Sequence, residues 1–209
     1  MEFEGGERLL AQALPMAEQL VALKRRAKAA GLPAIYANDN FGRWQSDFAT
    51  QVRHCLGEPV RGQPVARLLA PEDDDYFVLK PKHSAFFATP LETLLTYLGA
   101  NTLLLTGIAT DSCVLFTAAD GFLRDYHQIV VEDCVAAVDA HAHREALAYM
   151  TRVMKVRVAR SGSIDLTSFS RGPGASPRGR DAHAASRPGA RHGMVAREGY
   201  YVPRPQRPQ

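Results

Sequence analysis

Asn101 to Asp120, NTLLLTGIATDSCVLFTAAD, constrains the fold more than any other stretch of the chain. Its apolar run Thr102-Leu103-Leu104-Leu105-Thr106 is long enough for a buried strand and too short for a helix by itself. Gly107 to Asp111 breaks the run, and Thr110 or Asp111 is a good N-cap for a helix beginning there. From Ser112 onward, Val114, Leu115, Ala118 and Phe122 return at helical spacing. Cys113 therefore falls at the strand-to-helix turn, in the first turn of a helix. The partial positive charge of that position favours a thiolate. Backbone N–H groups left unpaired at the same helix end are suited to stabilising an oxyanion. Position alone does not decide the matter, because a lone cysteine in apolar surroundings is more often a small buried hydrophobe than a nucleophile.

A second stretch, Tyr76 to Thr89 (YFVLKPKHSAFFAT), adds weight to the reactive reading. Its strand-like run Tyr76-Phe77-Val78-Leu79 ends in Lys80. A lysine at the carboxyl end of a buried α/β strand points towards the usual ligand crevice. Lys82, two residues on, reads as a surface or pocket-edge charge.

Taken together, LKPKHSAF around Lys80 and GIATDSCV around Cys113 resemble the isochorismatase-like cysteine hydrolases, a family that includes isochorismatases, nicotinamidases and N-carbamoyl amide hydrolases. The resemblance covers roughly Glu2 to Ser163. It implies a three-layer α-β-α, Rossmann-like fold with a mostly parallel sheet. It also implies an Asp–Lys–Cys triad that attacks a carbonyl, with Lys80 as the lysine and Cys113 as the nucleophile. A cis peptide just before the turn would join Ile108 to Ala109 and turn the amides of Ala109 and Cys113 towards the oxyanion. At His83 the family frequently has a tyrosine, so His83 is expected to alter the pocket. The implied partners are a small-molecule substrate and further copies of the chain as a homo-oligomer.

The third triad member is not found in the sequence from Met1 on. In the family, a central apolar strand ending in aspartate precedes the segment that resembles Glu2 to Gly6. Three readings stand: a start upstream of Met1, a truncated chain without that strand, or substitution by another carboxylate, with Asp39 the nearest. They leave two function classes. One is a metal-independent cysteine hydrolase of a small amide, carbamoyl or related carbonyl compound. The other is an inactive family member serving as an oligomeric binding or scaffolding module.

Elsewhere the chain reads as alternating helices and strands, which argues for a parallel sheet covered on both faces. A long helix is predicted from Gly6 to Ala30, with Leu9, Leu10, Ala13, Leu20, Leu23 and Ala27 as its buried stripe and Pro15 a candidate kink. After the strand around Ile35 comes a polar and aromatic loop, Asn38 to Trp44. Asp39, Phe41, Arg43, Trp44 and His83 are the candidates for the substrate mouth; the loop reads equally well as a plain connection with one buried tryptophan. Nicotinamidases carry a metal site here. Asp39 matches its aspartate, but Phe41 stands where its first histidine would be and His54 is isolated, so neither metal nor cofactor is expected. Gln51 to Asp75 reads as irregular, with Glu72 to Asp75 a solvated acidic turn. Cys134 reads as core, and His141 and His143 as surface or inter-subunit residues.

With 209 residues and 46% hydrophobic content the chain can bury a proper core, yet no apolar run approaches membrane-spanning length. Three cysteines without C-x-x-C spacing suggest neither a disulfide framework nor a zinc site, which fits a cytoplasmic setting. The formal charge of +3 is uneven: from Ser161 on there are eight arginines against three carboxylates. The hydrolase domain is therefore assigned to residues 1–165. Residues 166–209 are assigned to a disordered tail rich in Pro, Gly and Arg. Without regular RGG repeats, that tail is not expected to bind nucleic acid.

Overall fold

The computed structural model describes residues 1–40, 42, 44–45, 47–57 and 59–169. The predicted tail from residue 170 on, with its nucleic-acid reading, and the candidates Phe41 and Arg43 lie outside the described residues.

Helix α1 (Gly6–Ala29) passes through Pro15 without a break. Its buried stripe is Leu9, Ala13, Met16, Ala17 and Leu23, so Met16 and Ala17 carry packing that the predicted stripe gave to Leu10. Strands β1 (Ile35–Asp39) and β2 (Tyr76–Lys80) pair in parallel, with Asp39 opposite Lys80. Between them lie two helices where an irregular segment is predicted, α2 (Phe48–Gly57) and α3 (Gln63–Leu68). Pro59, Gly62 and Pro64 obscure them in sequence, but Pro64 sits in the first turn of α3, where its missing N–H costs nothing. No residue of α2 is fully buried; Phe48 anchors it by stacking on Phe77 at 4.5 Å.

Helix α4 (Leu91–Leu98) ends at Gly99, whose φ of 61° is the left-handed cap that glycine tolerates. Strand β3 (Thr102–Ile108) leads through a π turn (Thr110–Val114) into α5 (Leu115–Phe122). Strand β4 (His127–Ala136), helix α6 (Ala140–Met154) and strand β5 (Arg157–Ala159) complete the order. All strand pairings are parallel, in two sheets: β1 with β2, and β3-β4-β5.

Strand β4 shows the layering. Successive side chains point to opposite faces of a strand. The β3–β4 register shifts between Val130 and Val135, which inverts the alternation along β4, so Val130 and Val135 both pack with Val114, Ala118, Ala146 and Met150 of the π turn, α5 and α6. Ile129, Val131 and Cys134 pack on the other face with Leu23 of α1 and with Ile164 and Leu166. Burying aliphatic side chains of this size stabilises by about 1.5–3 kcal/mol each, which makes β4 the central beam of its sheet. Leu103 of β3 joins Ile35, Ala37 and Val78 of the other sheet in one cluster under α4. The packed chain runs past residue 165, because Leu166 is buried in a short 3-10 turn, Leu166–Phe169. No helix among the described residues is long and apolar enough to cross a membrane.

Candidate active site

The carboxyl ends of β1, β2 and β3 bring Asp39, Lys80 and Cys113 together. Lys80 is buried, at 3% exposure, and its Nζ lies 2.8 Å from Asp39 Oδ2. The same Nζ is 3.4 Å from Cys113 Sγ and 3.4 Å from the Lys82 carbonyl. Cys113 Sγ in turn is 3.8 Å from Asp39 Oδ2. Pairing Asp39 with Lys80 across the β1–β2 ladder gives this contact directly, although the two lie far apart in sequence. Of the three readings of the carboxylate, substitution by Asp39 is the one whose geometry lies within the described residues.

Cys113 is not in the first turn of a regular helix. Ala109 O accepts from the amides of both Ser112 and Val114, each at 3.1 Å. The second of these spans five residues and is the bond that defines a π turn, a widening often found at functional sites. Ala109 is also the N-cap, without a side-chain cap bond, so neither Thr110 nor Asp111 has the capping role predicted for it. The Ile108–Ala109 peptide is cis, as the resemblance implies. Gly107 precedes it with φ 102°, a conformation L side chains rarely adopt, and there the pairing of β3 with β4 changes register.

Thr110 is fully buried, and its hydroxyl pairs with His143 Nδ1 of α6 at 2.9 Å. His143 is thus a half-buried support of the π turn and not a surface residue, whereas His141 is exposed. Burial pushes the His143 imidazole below its ordinary range. Sequence spacing carries no signal for this contact beyond the presence of a histidine on the inward face of α6.

His83 comes after Lys80 in an exposed bend, its Nδ1 3.3 Å from Ser112 Oγ and 3.7 Å from Cys113 Sγ. Two bonds fasten the bend to α5: Ser84 Oγ donates to Asp120 Oδ2 at 2.5 Å, and Ala85 N donates to Thr117 Oγ1 at 3.0 Å. The His83 ring rests 5.6 Å from that of Phe116, itself half exposed. Trp44 is 77% exposed, which removes the alternative of a buried tryptophan in this loop. Cys134 is core as predicted, and burial pushes its thiol up to about 12.

The residues do not fit a metal ion. Asp39 directs its carboxylate oxygen to Lys80, and among the described residues no group of three His, Cys, Asp or Glu stands together.

Comparison with known proteins agrees with this architecture. The sequence matches the isochorismatase domain over residues 3–160. It is 37% identical to YaaI, an uncharacterised isochorismatase family protein of Bacillus subtilis, over 78% of this chain and 89% of that protein. A shorter stretch is 44% identical to a ureidoacrylate amidohydrolase of Methylobacterium radiotolerans, covering 38% of this chain and 31% of the relative. Among solved structures, N-carbamoylsarcosine amidase from Thermoplasma acidophilum superposes with a TM-score of 0.60 at 32% identity, over 74% of this chain and 87% of the other. A Staphylococcus aureus nicotinamidase shares the fold at 21% identity, with a TM-score of 0.54, over 71% of this chain and 83% of the other. With the domain match running through both the Lys80 and the Cys113 segments, the chain belongs to the isochorismatase family of hydrolases.

Proposed function

We propose that the protein is a metal-independent thiol hydrolase that cleaves a small amide or carbamoyl compound through a thioester on Cys113. The observation that carries this reading is the grouping of a buried lysine, a carboxylate and a thiol, with Sγ 3.4 Å from Lys80 Nζ and 3.8 Å from Asp39 Oδ2. A lysine ammonium beside a sulfur attracts the negative charge that makes it a nucleophile. Asp39 is the acceptor for the thiol proton, and Lys80 holds the carboxylate in place. The amides of Ala109 and Cys113 would receive the oxyanion as the carbonyl is attacked. His83, 3.7 Å from Sγ, and Phe116 beside it would border the mouth of the site. Relatives and structural neighbours named as amidohydrolases and amidases support an amide or carbamoyl substrate. Three free cysteines fit a reducing cytoplasm, where the thiol stays available.

The grouping also speaks against the scaffolding alternative, since a binding module has no need of a buried lysine beside a thiol. The test is a screen of small amides and carbamoyl compounds for released amine or ammonia, run in parallel with Cys113→Ala. Turnover that vanishes in the folded variant supports the proposal, and turnover that survives contradicts it.

A further inference from the structure

We propose that His83 is the second proton carrier of this site: it protonates the leaving nitrogen and then activates the hydrolytic water. This rests on the thiol-hydrolase reading above. Amide cleavage moves two protons, one off the thiol and one onto the departing nitrogen. Asp39 is placed for the first, but its oxygen nearest sulfur, Oδ2, is also the one engaged by the Lys80 ammonium at 2.8 Å, which leaves it a poor carrier for both. Lys80 itself is buried and ion-paired, so its proton is not available. The His83 ring is different. Its Nδ1 stands 3.7 Å from Sγ, near where a group bonded to sulfur would sit, and its polar partners among the described residues are a hydroxyl and that sulfur. The ring is exposed to water, while the bonds of Ser84 and Ala85 to α5 hold its backbone in place.

Each step balances in atoms and charge. Asp39 takes the thiol proton, and sulfur bonds to the carbonyl carbon as the C=O pair moves onto oxygen. When that pair returns, the C–N bond breaks and the imidazolium of His83 gives its proton to the leaving nitrogen. The neutral ring then takes a proton from water as the water oxygen bonds to the thioester carbon. The C–S bond breaks, and Asp39 returns its proton to sulfur. Both carriers finish as they began.

p-Nitrophenyl acetate separates the two halves: its phenolate leaves without a proton, so acylation bypasses His83, whose exposed ring then gives its proton to solvent before it takes one from the hydrolytic water. The full chain and its His83→Asn variant would be compared by stopped-flow burst, steady-state rate and mass spectrometry of the Cys113 peptide. Asparagine keeps a hydrogen-bonding group near the Nδ1 position but neither gives up nor takes up a proton near neutral pH. The expected result is a preserved burst, a steady-state rate lower by about a hundredfold or more, and acetyl-Cys113 that accumulates. Unchanged steady-state turnover in His83→Asn overturns the proposal, and so does an equal loss of burst and turnover, which would mark a purely structural role. If neither the parent nor His83→Asn shows a burst or an acetyl group on Cys113, the thiol-hydrolase reading fails and the role of His83 falls with it.

Discussion

The two ends of the β1–β2 sheet each join lysine to aspartate, and they use the same chemistry for opposite purposes. At the amino end, Asp75 stands just before β2 with its side chain 1% exposed. It accepts from Lys24 of α1 at 2.5 Å and from the Glu72 amide at 2.7 Å, and Lys28 lies 3.1 Å away. Lys24 also reaches the Tyr36 hydroxyl at 3.1 Å, and Lys28 pairs with Glu72 and Asp74. At the carboxyl end, Lys80 has Asp39 as its one carboxylate among the described residues, with a long contact to Lys82 O and a hydrogen bond to Cys113 Sγ. A cluster of several ion pairs holds elements together. An ammonium with a single carboxylate partner, set beside a thiol, is placed to hold the charge that forms on sulfur.

Titration at the amino end agrees with this division. Burial disfavours the charge of Asp75, but the Glu72 amide and the two lysines outweigh it and hold the carboxyl below its usual range. Burial likewise opposes the Lys24 charge, and its bonds to Asp75 and Tyr36 overcome that and raise it.

Variants at the two ends should therefore separate activity from stability. The largest effect is expected for Cys113→Ala, which abolishes amide turnover while thermal unfolding stays as in the parent. Next, Asp39→Asn should lower kcat by about 10²–10⁴-fold, the range for loss of a positioned acid or base, with circular dichroism unchanged. Lys24→Met should do the reverse: urea unfolding weakens by about 1–3 kcal/mol as the buried Asp75 loses its closest cation, and kcat holds. If Lys24→Met abolishes turnover, or Asp39→Asn unfolds the chain, the contrast between the two ends breaks.

The same cluster sets an acid limit. A carboxyl depressed by folding stabilises the fold above its unfolded value of about 4, and that stability is lost as pH falls through the folded value. Stability should therefore drop on acidification below about pH 4, and less steeply in Lys24→Met. The smallest effect belongs to His143. Its depressed imidazole means the unfolded chain takes up the proton first as pH falls below about 6.5, so stability falls with pH there. His143→Gln should flatten that limb in denaturant titrations, at a cost of about 1 kcal/mol for the altered bond to Thr110.

Much of the fold is legible in apolar spacing. The runs at Tyr76, Thr102 and Gln128 are strands, and the stripes in α1, α4 and α6 are helices, because burial on a face imposes its period on the sequence. Lys80 and Cys113 are legible for the same reason, each closing such a run or lying just beyond one. Spacing does not show contact across distance. Asp39 reaches Cys113 only because β1 pairs with β2 in one register, and His143 reaches Thr110 only because α6 packs on the π turn. The helices α2 and α3 are hidden by prolines and glycines that end one helix and begin the next. The π turn is equally silent, because a bond spanning five residues leaves no mark on apolar periodicity.

The central claim is that Asp39, Lys80 and Cys113 form one chemical unit. The most direct test is the rate at which iodoacetamide labels each cysteine at neutral pH, read by mass spectrometry, in the parent chain and in Lys80→Met. Cys113 is predicted to react first, ahead of Cys55 and far ahead of the buried Cys134, and Lys80→Met to slow Cys113 by about tenfold or more. Labelling of Cys113 no faster than Cys55, or a rate indifferent to Lys80, would contradict it.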